Sequence, residues 1–88
     1  RRGNVTSLAS LPGIEAEVLE IEITQSSRAA GRKVKALNLD HDGMIGIISR
    51  NGQVIVPIGD TELRDGDHLI VFTTPASVGR VEKIFANR

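Results

Sequence analysis

The chain has no cysteine, tryptophan or tyrosine, and its only aromatic residues are Phe72 and Phe85. Without cysteine there is no disulfide, no thiolate metal site and no cysteine nucleophile. Two phenylalanines give no stacking platform for bases. Eleven basic residues are matched by eleven acidic ones, so the basic footprint of a nucleic-acid reader is missing as well. No apolar run approaches the ~20 residues of a membrane-spanning helix, and no signal-peptide pattern occurs. The glycines are scattered among turns, with neither a GxGxxG nor a Walker pattern. Nucleic acid and direct membrane insertion are therefore not expected.

What remains is an 88-residue chain that is 40% hydrophobic, enough for one domain with a small core of Val, Ile and Leu. It begins Arg1-Arg2-Gly3 without methionine, which reads as a domain cut from a longer protein. The strongest local signal lies in residues 44–58, MIGIISRNGQVIVPI. Asn51-Gly52 between β-branched runs marks a type I′ hairpin, because that turn needs φ > 0 at both central residues. The turn fixes a register in which Arg50 faces Gln53, Ser49 faces Val54, Ile48 faces Ile55 and Ile47 faces Val56. One face of the ribbon then carries Ile45, Ile47, Val54, Val56 and Ile58, and the other Met44, Ile48, Ile55 and Pro57. An antiparallel ribbon with one side in water would not be apolar on both faces.

The rest of the chain supplies the context. Residues 4–11 read as a weak strand and Pro12-Gly13 as a turn. Residues 16–24, AEVLEIEIT, alternate with Leu19, Ile21 and Ile23 inward and Glu20 and Glu22 outward. Val34 and Leu37 define a short helix or single turn. Arg64-Asp65-Gly66-Asp67 is a turn, and residues 68–74, HLIVFTT, form another strand that is apolar on both sides. Thr74 as cap, Pro75 at the first helical position and Val78, Val81, Ile84 and Phe85 predict a terminal amphipathic helix of about eleven residues. Gly79 weakens it, which points to something packed close by. The expected fold is α+β: a small, mainly antiparallel sheet, a short helix after the first main strand, and a C-terminal amphipathic helix. A helix of ~16 Å cannot seal both sheet faces, so a homodimer or larger homo-oligomer is expected.

No catalytic constellation emerges. Asp40-His41-Asp42 are adjacent residues that converge poorly on one ion. Asp65-Gly66-Asp67 lacks the further ligands of a calcium loop, and Glu20 and Glu22 have no accompanying acid, base or nucleophile. His68 reads as a strand-edge side chain. Catalytic and metal residues are expected to be none, and the chain is not expected to be an enzyme. An aliphatic groove at a dimer seam, with Arg50 and Asn51 at its rim, is the remaining candidate for a small-molecule site.

The order and spacing of EAEVLEIEIT, GRKVKALNL and MIGIISRNGQVIVPIGDTELRDGDHLIVF, followed by an amphipathic helix, resemble the C-terminal regulatory domain of Trk-type potassium-uptake proteins, the TrkA-C or RCK-C family. The resemblance runs over roughly residues 13–85. It implies that residues 1–12 connect to an upstream nucleotide-binding domain and that 13–88 form the regulatory domain. It further implies a cytoplasmic, dimerising, ligand-sensing module peripheral to the inner face of the membrane. Its partner would be the membrane subunit of a potassium transporter or channel, whose flux it gates. The alternative is a purely structural dimerisation domain without a ligand. No cofactor is implied for this stretch. Some family members bind cyclic di-AMP between two such domains; the matching ligand-binding candidates are Ile47, Ile48, Arg50, Asn51 and Ile55, for that or another small regulatory ligand.

Overall fold

The computed structural model describes residues 4–88. Five strands, β1 (Val5–Ser10), β2 (Glu17–Glu22), β3 (Gly43–Arg50), β4 (Gln53–Ile55) and β5 (His68–Thr73), form one antiparallel sheet in the order β1-β2-β5-β3-β4. A 3-10 turn, Val34–Leu37, follows β2, and the helix α1 (Val78–Phe85) closes the chain. Residues 1–3 of the expected N-terminal connection lie outside the described residues. Val5–Ser10, in the same stretch, is the edge strand beside β2.

Alternation decides which face is buried. Leu19 and Ile21 of β2 and Leu69 and Val71 of β5 point to one side and have almost no exposed surface. Residues 23–42, residues 59–67 and α1 cover that side, adding Ile23, Ala29, Leu37, Leu63, Val81 and Phe85 to one continuous core. The opposite sheet face carries Val18, Glu20, Ile47, His68, Ile70 and Phe72. His68 therefore ends a central strand, not an edge, and its Nδ1 lies 3.1 Å from Glu20 Oε2.

The hairpin forms with Asn51 at φ 50° and Gly52 at φ 77°, and Arg50–Gln53, Ser49–Val54 and Ile48–Ile55 pair as the turn requires. Beyond Ile55 the strand ends, so the expected pairing of Ile47 with Val56 is not made. The expected division of faces also fails, and one residue explains it. A bulge between Ile45 and Ile47 inserts Gly46 into the ladder with β5, so Ile45 faces Val71 and Ile47 faces Ile70. The extra residue moves the alternation on by one. Ile45 and Ile48 both enter the core, while Ile47 turns to the opposite face. Gly46 is needed because a Cβ there would lie 2.6 Å from the Phe72 ring.

The terminal helix is shorter than expected. Pro75–Ser77 is a 3-10 turn, and α1 proper has eight residues, or about 12 Å. The Thr74 side chain makes no capping bond; instead the Ser77 amide donates to the Thr74 carbonyl at 3.0 Å. Val81 and Phe85 are buried as the spacing requires. Nothing packs against Gly79, where a Cβ would meet open space, so the expected close neighbour is not there.

These two glycines have opposite outcomes. Gly46→Ala forces the Phe72 ring aside and lowers stability by about 1–3 kcal/mol. Gly79→Ala, at an exposed helical position, raises it by about 0.5–1 kcal/mol. Urea denaturation of both variants beside the parent checks the signs and sizes.

Candidate functional site: the hairpin, its ion pair and the free edge

Arg50 ends β3 one step past the Ser49–His68 pair, so the ladder sets it beside Asp67, the residue before β5. The side chains meet in a forked ion pair: Nε donates to Oδ1 and Nη2 to Oδ2, each at 2.8 Å. Nη2 also donates to the Glu62 carbonyl at 2.9 Å. The Asp67 side chain is fully buried and that of Arg50 is 19% exposed. The carboxylate is further held by the Arg64 amide at 2.9 Å, across a turn whose third residue, Gly66, sits at φ 91°. The Gly66 amide in turn donates to Ile23 O, and the Ile23 amide to Asp67 O.

Burial pushes the Asp67 carboxyl up, but the Arg50 hydrogen bonds, the Arg64 amide and the attraction of both guanidinium groups outweigh it. The net effect holds Asp67 below the ordinary carboxylate range. Hydrogen bonding to Asp67 raises Arg50 against the opposing effect of burial. Of the five N–H donors of the guanidinium, those on Nη1 remain unengaged by these bonds.

The other candidate residues separate around this pair. Ile48 has no exposed surface and Ile55 packs against the core. Ile47 is half-buried on the opposite face, and Asn51 occupies the exposed turn. The five thus do not converge on one cavity. The nearby cleft, about 300 Å³, is instead lined by Lys35, Asn38, Met44, Ile45, Pro57 and Ile58, among others. Beside it runs an apolar edge: Met44, Val54, Val56 and Ile58 are 61%, 67%, 75% and 69% exposed. Val54, Val56 and Ile58 follow one another along the edge strand and its extension, and Met44 of β3 lines the cleft with Ile58, so these exposed apolar side chains form a patch rather than scattered residues. Asp40, His41 and Asp42 do not gather: Asp42 accepts from Ser77 Oγ at 2.9 Å and pairs with Arg80 at 2.5 Å, fastening the loop to α1. Among the described residues, no group of three or more His, Asp or Glu is placed to hold a metal ion.

The model of the TrkA-C domain matches residues 18–86. The chain belongs to the TrkA-C domain family. Its relatives include the Trk system potassium uptake protein TrkA of Azorhizobium caulinodans, 34% identical over 85 residues, which cover 97% of this chain and 19% of that protein. A TrkA homologue of Methanosarcina mazei is 26% identical over 81 residues, covering 92% of this chain and 18% of the homologue. The TrkA-C chain thus spans under a fifth of the length of these relatives. Among solved structures, an RCK domain with cda is 30% identical, with a TM-score of 0.60 over 77% of this chain and 96% of that one. The GsuK RCK domain, at 15% identity, shares the fold: its TM-score is 0.80 over 96% of this chain and 18% of that one. Among the described residues no helix is long and apolar enough to cross a membrane.

From the sequence alone, Arg50 falls at a ligand rim and Asp67 in a turn. Their pairing depends on β3 lying beside β5, a contact between segments 17 residues apart. The available signal was the run Gly66-Asp67 directly before a strand apolar on both sides, which marks a central strand with an acid at its buried end.

Removing Arg50 leaves the fully buried Asp67 carboxylate without its cation, so Arg50→Ala is expected to cost about 3–5 kcal/mol. The double change Arg50→Met with Asp67→Leu costs less than the sum of the two single changes, measured by denaturant unfolding. The pH dependence has a defined sign. Because the folded Asp67 lies below its unfolded value of about 3.9, its contribution is full above that value and is lost as pH falls from there through the lower folded value. Unfolding curves between pH 6 and pH 2 should lose this acid limb in the double variant.

Proposed function

We propose that this TrkA-C domain is the cytoplasmic regulatory module of a potassium uptake transporter or channel. It pairs with a second copy and senses a small ligand rather than catalysing a reaction. The observation that carries the reading is the exposed aliphatic edge Val54, Val56 and Ile58 beside the cleft that Met44, Pro57 and Ile58 share with Lys35 and Asn38. Two such edges meeting about a two-fold would bury surface that a lone domain leaves in water. An aliphatic groove with a few polar groups suits a small regulatory ligand such as cyclic di-AMP. Arg50, through its unengaged donors, and Asn51 are further polar candidates at the hairpin tip. The relatives' names supply the potassium setting, and the 30% identical RCK domain with cda supports ligand binding by this fold. Residues 1–12 would connect to an upstream domain. Ligand binding shifts a gating equilibrium by its differential affinity for the two arrangements.

Light scattering at micromolar concentration should give a dimer mass or higher, and Val56→Glu should reduce it to the monomer while the unfolding midpoint stays within a few degrees. A monomer mass for the parent rejects the pairing. Calorimetry against cyclic di-AMP, other nucleotides and divalent ions should show heat for at least one of them. Flat titrations for all, with the dimer intact, would instead favour a scaffold without a ligand.

A further inference from the structure

The chain has equal numbers of acidic and basic residues, yet its charges are not evenly distributed. A second cleft of about 300 Å³, on the helix side, is lined by Arg28, Arg32, Arg80 and Lys83, with Leu37 and Ile84 as apolar lining and no acidic residue. Outside the cleft, Lys33 and Lys35 flank Asp60, Arg64 approaches Glu62 and Arg50 holds Asp67, while Arg88 has no salt bridge among the described residues. Of the four cleft cations, Arg80 has an acidic partner among the described residues, Asp42. Arg32 donates to the Ala36 carbonyl at 2.8 Å. Two of the four cations are thus held in place by protein acceptors that occupy only part of their fork of donors. Arg28 and Lys83 have no salt-bridge partner among the described residues. Their backbones are nonetheless fixed, since the Arg28 amide donates to Ala86 O at the end of α1.

Four like charges around one concavity repel one another. Nothing in the core requires them, because all four lie in exposed positions. We propose that this cleft is an oxyanion site that takes a phosphate-bearing ligand carrying at least two negative charges. Held guanidinium groups match phosphate oxygens in fork geometry, and Leu37 and Ile84 offer apolar contact to the ligand's neighbouring carbon. The site is separate from the free edge, and it stands whether or not the chain pairs there. The phosphate can come from a soluble metabolite or from a lipid headgroup, and these sources are separable by experiment.

The test titrates inorganic pyrophosphate into the 88-residue chain at constant ionic strength, following backbone amide NMR shifts. The expected result is saturable shifts at Arg28, Arg32 and residues 80–84, with Lys33, Lys35 and Arg64 unmoved. In the double variant Arg28→Gln with Lys83→Gln, affinity falls at least tenfold while the remaining spectrum is preserved. Neither side chain holds a fold contact, so the variant should fold. Co-sedimentation with phosphatidylcholine vesicles containing phosphatidylinositol 4-phosphate, whose headgroup carries more than two negative charges, set against phosphatidylcholine alone, gives the lipid arm. Sedimentation lost in the double variant, without pyrophosphate binding, assigns the site to headgroups. Shifts spread over all basic residues, equal responses of parent and variant, or no response in either arm would overturn the proposal.

Discussion

The forked pair of Arg50 and Asp67 is the contact on which the arrangement around the hairpin depends. It joins the end of β3 to the start of β5 and, through the Glu62 carbonyl and the Arg64 amide, to the loop that covers the core. A fully buried carboxylate is costly unless its oxygens are satisfied. Here both are, by three donors from two segments. Such a pair specifies one arrangement, since sliding β3 against β5 by a residue would strand the charge. The Gly46 bulge acts together with it: by moving the alternation on by one, it brings Ile48 inward and sets Arg50 on the core side, where Asp67 waits.

On the other edge of β3 the hairpin is short, and β4 pairs only over Gln53–Ile55. The chain then leaves as an extended, exposed aliphatic segment, with a cleft between it and the turn that ends at Asn38. Asn38 takes a left-handed conformation there, at φ 57°. The two proposed surfaces lie on either side of this turn. The free edge and its cleft are on one side, and the basic cleft is across the same 3-10 turn, with Asn38 lining both.

Much of this was legible from local chemistry. Asn51-Gly52 announced its turn and first three pairs, the alternation of residues 16–24 gave β2 and its inward face, and Val81 and Phe85 gave the buried side of α1. The surplus of apolar surface around residues 44–58 was legible too. What the residues did not disclose were relations between distant segments. A bulge depends on the neighbouring strand and on the Phe72 ring that crowds Gly46, and neither is visible in the order of residues 44–48. The Arg50–Asp67 pair follows from the β3–β5 register. The candidate site was the least legible part, because simple alternation puts Ile47 and Ile48 on the wrong faces and says nothing of an ion-pair partner for Arg50.

We propose that Arg50 and Asp67 serve the fold while the edge beyond β4 serves a second copy. Hydrogen exchange of the parent chain at several protein concentrations tests it most directly. Protection of amides in residues 53–58 and at Met44 is expected to rise with concentration, while protection of Gly66 and Asp67 stays constant. Protection of residues 53–58 that is independent of concentration, or a rise confined to another surface, would contradict it.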